Sequence, residues 1–506
     1  MPGDHKLYRA ALVFASLVYL AARLWDLTAS CLWFDEIFSI HAAEHPWKSL
    51  LSFVALDLIH PPLFYALLKL WIIVGGDSLL WLRLLPVTLS VIAIFPLIGL
   101  CRELKLGGWT QVLALFLLAI NGSMIKYAQE VRMYSLLMGV SLFSMWLFAR
   151  YFVRGKSFAP LIIVNLLLVY SHYFGWFIVL AEVAAVASFQ RVKLRQIVSM
   201  LAITLIGFLP WLAAVWHASG TGSGLAQNIG WMSRPGVQAI AALFLGLIEP
   251  FYFQMSSADP ASVYKVSVPL LLIVLVAAGI RLAGWRKLNE LDCRNTGLLL
   301  LFVLVPVVIA FTASWLMPYS VWGTRHLTIV FAPFYILVAI LLTSTSPKWL
   351  SAAAVTSVLV LAGYGFVMRA ARDTPQYSWC LWEPLTAAAL NAEVKAPVYV
   401  LEDLVGYHVW FATRKGSGLP VTKLSGINGV AEDKAYFLPR GFAEVRSVDI
   451  DDLDQSRLWI AFRNEAILDS EPPLRDLLVK GYRIIDRRTA GAKGEEAAII
   501  LLEKQD

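Results

Sequence analysis

Two adjacent carboxylates stand in Leu32-Trp33-Phe34-Asp35-Glu36-Ile37-Phe38-Ser39, just beyond the first apolar run of the chain. Charge that close to hydrocarbon is costly, so such a pair marks a site that does chemistry unless it has a structural task. The structural task would be helix capping by Asp35, with Glu36 facing water. A second group is Lys126-Tyr127-Ala128-Gln129-Glu130-Val131-Arg132-Met133-Tyr134. If this segment is helical, Lys126, Glu130 and Tyr134 share one stripe. Arg132 has the planar fork that pairs bidentately with phosphate oxygens. The plainer account is an interfacial ion pair, a snorkelling arginine and an aromatic-belt tyrosine. His172 and Tyr173 form a third group, and Lys265, Tyr319, Arg325 and His326 come later. Asp57 and His60 can jointly touch a divalent ion, but two residues make no metal site, and a capped helix before Pro61 explains them as well. Asn121-Gly122-Ser123 matches a glycosylation sequon, a short motif of little weight alone.

The elements that must position these groups lie in a membrane. Of 506 residues, 59% are hydrophobic and only 15% charged, and mean hydropathy is +0.68. Water-soluble domains carry far more charge. The 19 Trp and 18 Tyr suit a chain with many membrane boundaries. The net charge of +7 comes from dispersed Lys and Arg, with no concentrated basic face, which argues against nucleic acid as a partner. The four cysteines have no metal or redox spacing; Cys31 and Cys380 fall on the same expected side and can pair.

Basic loops set the expected topology. Lys6 and Arg9 place the N-terminus in the cytoplasm, and the run 7–24 reads as a retained signal anchor. Residues 25–61 then lie outside. The run 63–74 is too short for an untilted span, contains Lys69 and follows Pro61 and Pro62, so it is expected to lie along the outer interface. Spans are expected at 79–100, 109–120, 133–153, 159–170, 174–189 and 197–216, with basic loops at Arg102 and Lys105, at Arg154 and Lys156, and at Arg191, Lys193 and Arg195. Treating 237–253 as a second interfacial or re-entrant segment lets 263–283 enter the cytoplasm at Arg281, Arg286 and Lys287. Spans at 296–316, 326–342 and 349–367 bring the count to about eleven, or thirteen if both short runs cross. The expected division is a transmembrane domain over 1–369 and a soluble α/β domain over 370–506, placed outside. In the latter, 397–401, 458–462 and 497–502 read as strands and 471–480 as a helix. Asp35, Glu36, Lys126, Glu130, Arg132, Tyr134, His172, Tyr173 and Arg325 then share one membrane face.

Leu32-Trp33-Phe34-Asp35-Glu36, His60-Pro61-Pro62-Leu63-Phe64-Tyr65, Tyr127 to Tyr134 and Tyr170-Ser171-His172-Tyr173 resemble successive motifs of bacterial glycosyltransferase family 39 membrane proteins. These are relatives of the protein O-mannosyltransferases and the lipid A aminoarabinose transferase. The similarity covers most of the first 190 residues and resumes weakly at Thr324-Arg325-His326. It implies a polytopic α-helical GT-C fold, a polyprenyl-phosphate-linked sugar donor and an active site on the extracytoplasmic face of a bacterial inner membrane. By position, Asp35 matches the family's catalytic acidic residue and Glu130 a second acidic residue of an external loop. The aminoarabinose transferases carry an acidic residue and a lysine before the double proline, where this chain has Ile59 and His60, which weakens any metal site inferred from that branch.

The chemistry expected is transfer with inversion. A lipid phosphate leaves without general-acid help, so one carboxylate suffices to deprotonate an acceptor hydroxyl. Asp35, supported by Glu36 and Glu130, is the expected base. Arg132 and Arg325, with Lys126, would counter the departing phosphate, and Tyr134, His172 and Tyr173 would line the substrate. The acceptor can be a lipid, a glycan or a protein, and a divalent ion is a candidate cofactor. Two other classes fit the same residues: a flippase or transporter of lipid-linked sugars, whose charges should sit near mid-bilayer, and a membrane glycan hydrolase with two carboxylates.

Overall fold

The computed structural model describes residues 2–220, 226–251, 264–283, 290–371, 377–391, 395–415, 419–433, 435–492 and 494–505. Arg286, Lys287 and part of the glycine-rich loop after residue 220 lie outside them. Contacts divide the chain into two compact units: Met1–Leu27, Leu58–Ala218 and Met232–Arg372 form one, and Thr28–Asp57, Ser219–Trp231 and Asp373–Asp506 the other. The sequence reading cuts the chain once, at 369/370. The second unit begins close to that cut, at Asp373, and in addition takes up the segment bearing Asp35 and Glu36.

In chain order the helices are α1 (Pro2–Leu24), α2 (Phe34–Glu44), α3 (Trp47–Asp57), α4 (Leu63–Gly75), α5 (Leu79–Ile92), α6 (Ile94–Glu103), α7 (Gly108–Ile120), α8 (Gly122–Gln129), α9 (Tyr134–Arg154), α10 (Ala159–Ser171), α11 (Gly175–Phe189), α12 (Leu194–Ser219), α13 (Ala226–Ile229), α14 (Val237–Ile248), α15 (Tyr264–Ala283), α16 (Glu290–Leu316), α17 (Phe331–Ser344), α18 (Lys348–Ala370), α19 (Trp382–Leu390), α20 (Asp403–Thr413) and α21 (Leu474–Val479). Among the described residues, seven stretches are long and apolar enough to cross a membrane: Lys6–Leu24, Leu79–Glu103, Tyr134–Arg154, Arg191–Ser219, Cys293–Leu316, His326–Ser344 and Lys348–Ala370. At 1.5 Å per residue the 21 residues of α9 reach about 32 Å, enough for the hydrocarbon layer. Helices α7 and α10, 13 residues each, reach only about 20 Å, so the spans expected there are short ones. The outward faces of the long helices are apolar: Val13, Phe14 and Leu17 on α1, Ile203 and Ile206 on α12, and Val360 and Val367 on α18 stay exposed, as lipid-facing residues do. The protein is an integral membrane protein.

Within this first unit α1 packs on α7, α7 on α17, α9 on α6 and α10, and α11 on α16. Arg23 ends α1 fully buried: its guanidinium donates to Ser90 Oγ (2.9 Å), to Tyr19 O (3.0 Å), and to Ala119 O (3.1 Å) and Leu118 O (3.2 Å), carbonyls in the last turn of α7. A cation at a helix C-terminus satisfies orphan carbonyls and opposes the negative end of the helix dipole. Helix α8 begins at once, capped by Asn121, whose Oδ1 accepts from Met124 N at 2.9 Å while Nδ2 donates to Gly246 O and Glu249 O. The Asn121 side chain, fully buried, is thus structural, and the sequon is closed to modification in the fold. Gln129, at the far end of α8, donates to Arg23 O and Trp25 O.

The second unit carries a six-stranded sheet: β1 (Val398–Val400), β2 (Val421–Ser425), β3 (Arg446–Asp449), β4 (Arg457–Asn464), β5 (Tyr482–Ala492) and β6 (Glu495–Lys504), in the order β3-β2-β1-β4-β6-β5. The first four are parallel, and β6 runs antiparallel to both its neighbours, β4 and β5. Strand β4 is buried on both faces, with Trp459 and Ala461 in one core and Leu458, Ile460 and Phe462 in the other. That accounts for its unbroken apolar run. The expected strands coincide with β1, β4 and β6; the helix expected at 471–480 is shorter, starting after Pro473 and ending before Gly481, where φ is +89°.

Candidate active site

In the first unit, α8 ends at Glu130, where the backbone turns extended, and α9 starts at Tyr134. The stripe expected for Lys126, Glu130 and Tyr134 is therefore broken, although Lys126 Nζ still meets Glu130 Oε1 at 3.0 Å. The break at 130–133 turns Arg132 inward: its backbone N–H donates to Glu130 O at 2.7 Å, and the residue is 2% exposed, no snorkelling side chain. Arg132 Nη2 lies 3.3 Å from His60 Nε2. His60 itself precedes the prolines that start α4, with Pro62 as its N-cap.

Around this pair three imidazoles gather from distant parts of the sequence. The His60 and His172 ring centres are 5.8 Å apart, and those of His172 and His326 5.1 Å. His172 sits in the turn between α10 and α11, where Phe174 N donates to its Nδ1 at 3.1 Å. With Nδ1 accepting, the neutral ring carries its proton on Nε2. That buried nitrogen has no hydrogen-bond partner among the described residues. Burial holds the His172 pKa well below the usual value, and the charges of His60, Arg132 and Arg325 push the same way. Arg325 is half-buried just ahead of His326. Tyr127 hydrogen-bonds Thr324, and burial followed by the Glu130 charge raises its pKa. Tyr134, 1% exposed, stands 5.1 Å from the Tyr127 ring and 6.4 Å from that of His326. Tyr173 OH accepts from Trp211 Nε1 at 3.2 Å, tying the turn to α12. Gly175 lets that turn close: a Cβ there would fall 2.6 Å from Leu168 O.

The second unit holds the acidic pair on α2. Glu36, fully buried, occupies the third helical position, and its Oε2 accepts from Trp33 N at 3.2 Å. The capping task thus falls to Glu36, the reverse of the structural account given from sequence, and Asp35 is the half-buried member of the pair. The same unit holds Asp57, whose carbonyl oxygen accepts from Asn228 Nδ2 at 2.6 Å.

For Asp57 and His60 the sequence leaves two readings, contact with a divalent ion or a capped helix. Among the described residues no group of three or more His, Cys, Asp or Glu is arranged to hold a metal ion. His60 offers its Nε2 to a guanidinium, whose charge repels a cation. Sequence reading passed over Arg23, which a basic residue at the end of an apolar run signals, and left His326 outside the central set although it adjoins Arg325. Neither residue could be placed without the contacts of α7 and of the His172 turn.

No family model matches the chain, and no curated protein sequence matches it. Solved structures do. ArnT from Cupriavidus metallidurans bound to undecaprenyl phosphate superposes with a TM-score of 0.58 at 12% identity, over 98% of each chain. The archaeal oligosaccharyltransferase AglB from Archaeoglobus fulgidus, in complex with an inhibitory peptide and a dolichol-phosphate, gives 0.50 at 14% identity, over 81% of this chain and 64% of the other. The chain thus spans less than two thirds of the length of that oligosaccharyltransferase. At such identities the likeness establishes architecture: the chain has the GT-C fold.

Proposed function

We propose that this protein is an inverting glycosyltransferase that moves a sugar from a polyprenyl-phosphate-linked donor to an acceptor hydroxyl on the extracytoplasmic side of a bacterial inner membrane. The observation that carries the reading is the His172 Nε2–H, buried and lacking a protein acceptor among the described residues, with Arg132 and Arg325 close enough for both to depress its pKa. A donor within the field of two guanidiniums suits a phosphate, which takes bidentate Arg pairs and further N–H bonds. The ligands of the fold neighbours, undecaprenyl phosphate in ArnT and a dolichol-phosphate in AglB, agree with that chemistry.

Asp35 acts as the base. As the phosphate leaves the anomeric carbon, the acceptor oxygen attacks from the opposite face and passes its proton to the Asp35 carboxylate, which inverts the configuration. Glu36 holds the first turn of α2, and the Lys126–Glu130 pair supports the loop that presents Arg132. The disulfide between Cys31 and Cys380 supports an oxidising compartment for the unit that bears Asp35, hence the extracytoplasmic side. A cytoplasmic N-terminus is supported by the basic-loop pattern, and the bacterial inner membrane by the resemblance to bacterial glycosyltransferase family 39 membrane proteins.

The test is incubation of the purified protein with a panel of undecaprenyl-phosphate sugars (mannose, glucose, arabinose-type and amino sugars) and lipid, glycan and peptide acceptors. Asp35→Asn should lower transfer by about 10²-fold or more without changing the melting temperature. Arg132→Ala should weaken donor use by about tenfold or more while the acceptor KM stays level. A folded Asp35→Asn enzyme of full activity would remove Asp35 as the base.

A further inference from the structure

We infer that the α/β domain is the positioning element for Asp35: it grips helix α2 at both ends and the middle, and thereby governs turnover. The inference rests on the assignment of Asp35 as the base. Helix α2 has 11 residues, and a helix that short is marginal in water on its own. Its order must come from what holds it. At the N-terminal end, Cys31 is joined to Cys380, 349 residues away. Phe34 packs among aromatic rings of the domain, with centroids 4.9 Å from Tyr407 and 5.1 Å from Tyr436. In the middle, His41 Nδ1 lies 2.9 Å from Tyr407 OH, both residues buried. At the C-terminal end Arg414 forks onto Glu44, Nε to Oε2 at 3.0 Å and Nη2 to Oε1 at 2.8 Å.

These attachments share one side of α2. At about 100° per residue, Phe34, His41 and Glu44 fall within a sector of roughly 80°, and Asp35 points roughly 140° away from its centre. The domain therefore fixes the helix from the side away from the carboxylate that does chemistry. Tyr407 lies on α20, which begins at residue 403, and Arg414 is the C-cap of that helix, so α2 is held by chain made far downstream of it. A reacting group must sit within about 0.5 Å of its productive place, and an error near 1 Å costs on the order of 10²-fold in rate. Loosening the grip should accordingly lower kcat and spare donor binding, whose groups lie on α4, α8–α9 and the α10–α11 turn.

The experiment compares Arg414→Glu, Glu44→Arg and the double exchange in the full-length protein in nanodiscs, with Cys31→Ser as a milder variant. Two readouts are taken: kcat and donor KM with whichever donor of the panel the wild type uses, and hydrogen exchange of the amides of residues 34–44. Each single reversal should lower kcat by about tenfold or more, leave the donor KM within about twofold, and speed α2 exchange by about tenfold. The double exchange should recover both, a rescue that general unfolding would not show. Wild-type exchange in Arg414→Glu, or a fall in kcat without faster α2 exchange, would overturn the inference. If the wild type used no donor while Arg414→Glu still freed α2, the reaction assignment would fall and the grip would stand.

Discussion

Acidification to pH 5 should loosen the α/β unit through two buried histidines. Burial, reinforced by the charges of His45 and Arg414, lowers the His41 pKa to about 3. Burial, with a small push from Arg463, lowers that of His408 to about 4, against the hydrogen bond its Nδ1 makes to Leu404 O. Both folded values lie below the unfolded value of about 6.5, so the unfolded chain binds the extra protons. Stability is level above about pH 7 and falls as pH drops from about 6.5 toward 4 and 3. At pH 5 each histidine withdraws the equivalent of about 1.5 pKa units, roughly 2 kcal/mol. Glu402 and Glu444, held above the usual carboxylate range chiefly by burial, work in the opposite direction and trim the sum. Hydrogen exchange of the β1 and β4 amides in the full-length protein, corrected for intrinsic rates, measures the effect: about 30-fold per histidine between pH 7.5 and 5. His41→Gln and His408→Gln should each remove about half of the pH dependence. Equal slopes in the wild type and both variants would refute the neutral, buried state of these rings.

Gly175→Ala should destabilise the membrane unit by about 1–3 kcal/mol, because its Cβ meets the Leu168 carbonyl and the backbone must move. It should also weaken donor use, since His172 shares that turn; a melting temperature and donor KM equal to wild type would contradict the packing. Asn165→Leu should cost about 1–2 kcal/mol in a detergent melt. Asn165 accepts from Ser144 Oγ at 2.6 Å and donates to Glu182 Oε2 at 2.7 Å, joining α9, α10 and α11, and an unchanged melt would show that this junction contributes nothing.

Composition and the order of motifs made the GT-C fold legible, because hydrophobic length and basic loops act locally along the chain. The strands β1, β4 and β6 were legible for the same reason, as short apolar runs between polar turns. Strand β5 alternates along an edge and β3 is largely exposed, so neither carries an apolar run to announce it. Only the capping account of Asp35-Glu36 is reversed in the structure, because capping depends on where the helix begins. That boundary is set by Trp33, ahead of the position the sequence suggested.

By itself the sequence determined that this chain lives in a membrane, that acidic, arginine and histidine groups flank its spans, and that a mixed α/β domain follows them. Only the tertiary structure decided that His60, Arg132, His172 and His326 form one cluster, and that α2 folds with a domain encoded more than 300 residues later. The reason is physical: a buried cation or imidazole is tolerable only where partners from other segments satisfy it, and which segments supply them is a property of the packing, not of any local pattern.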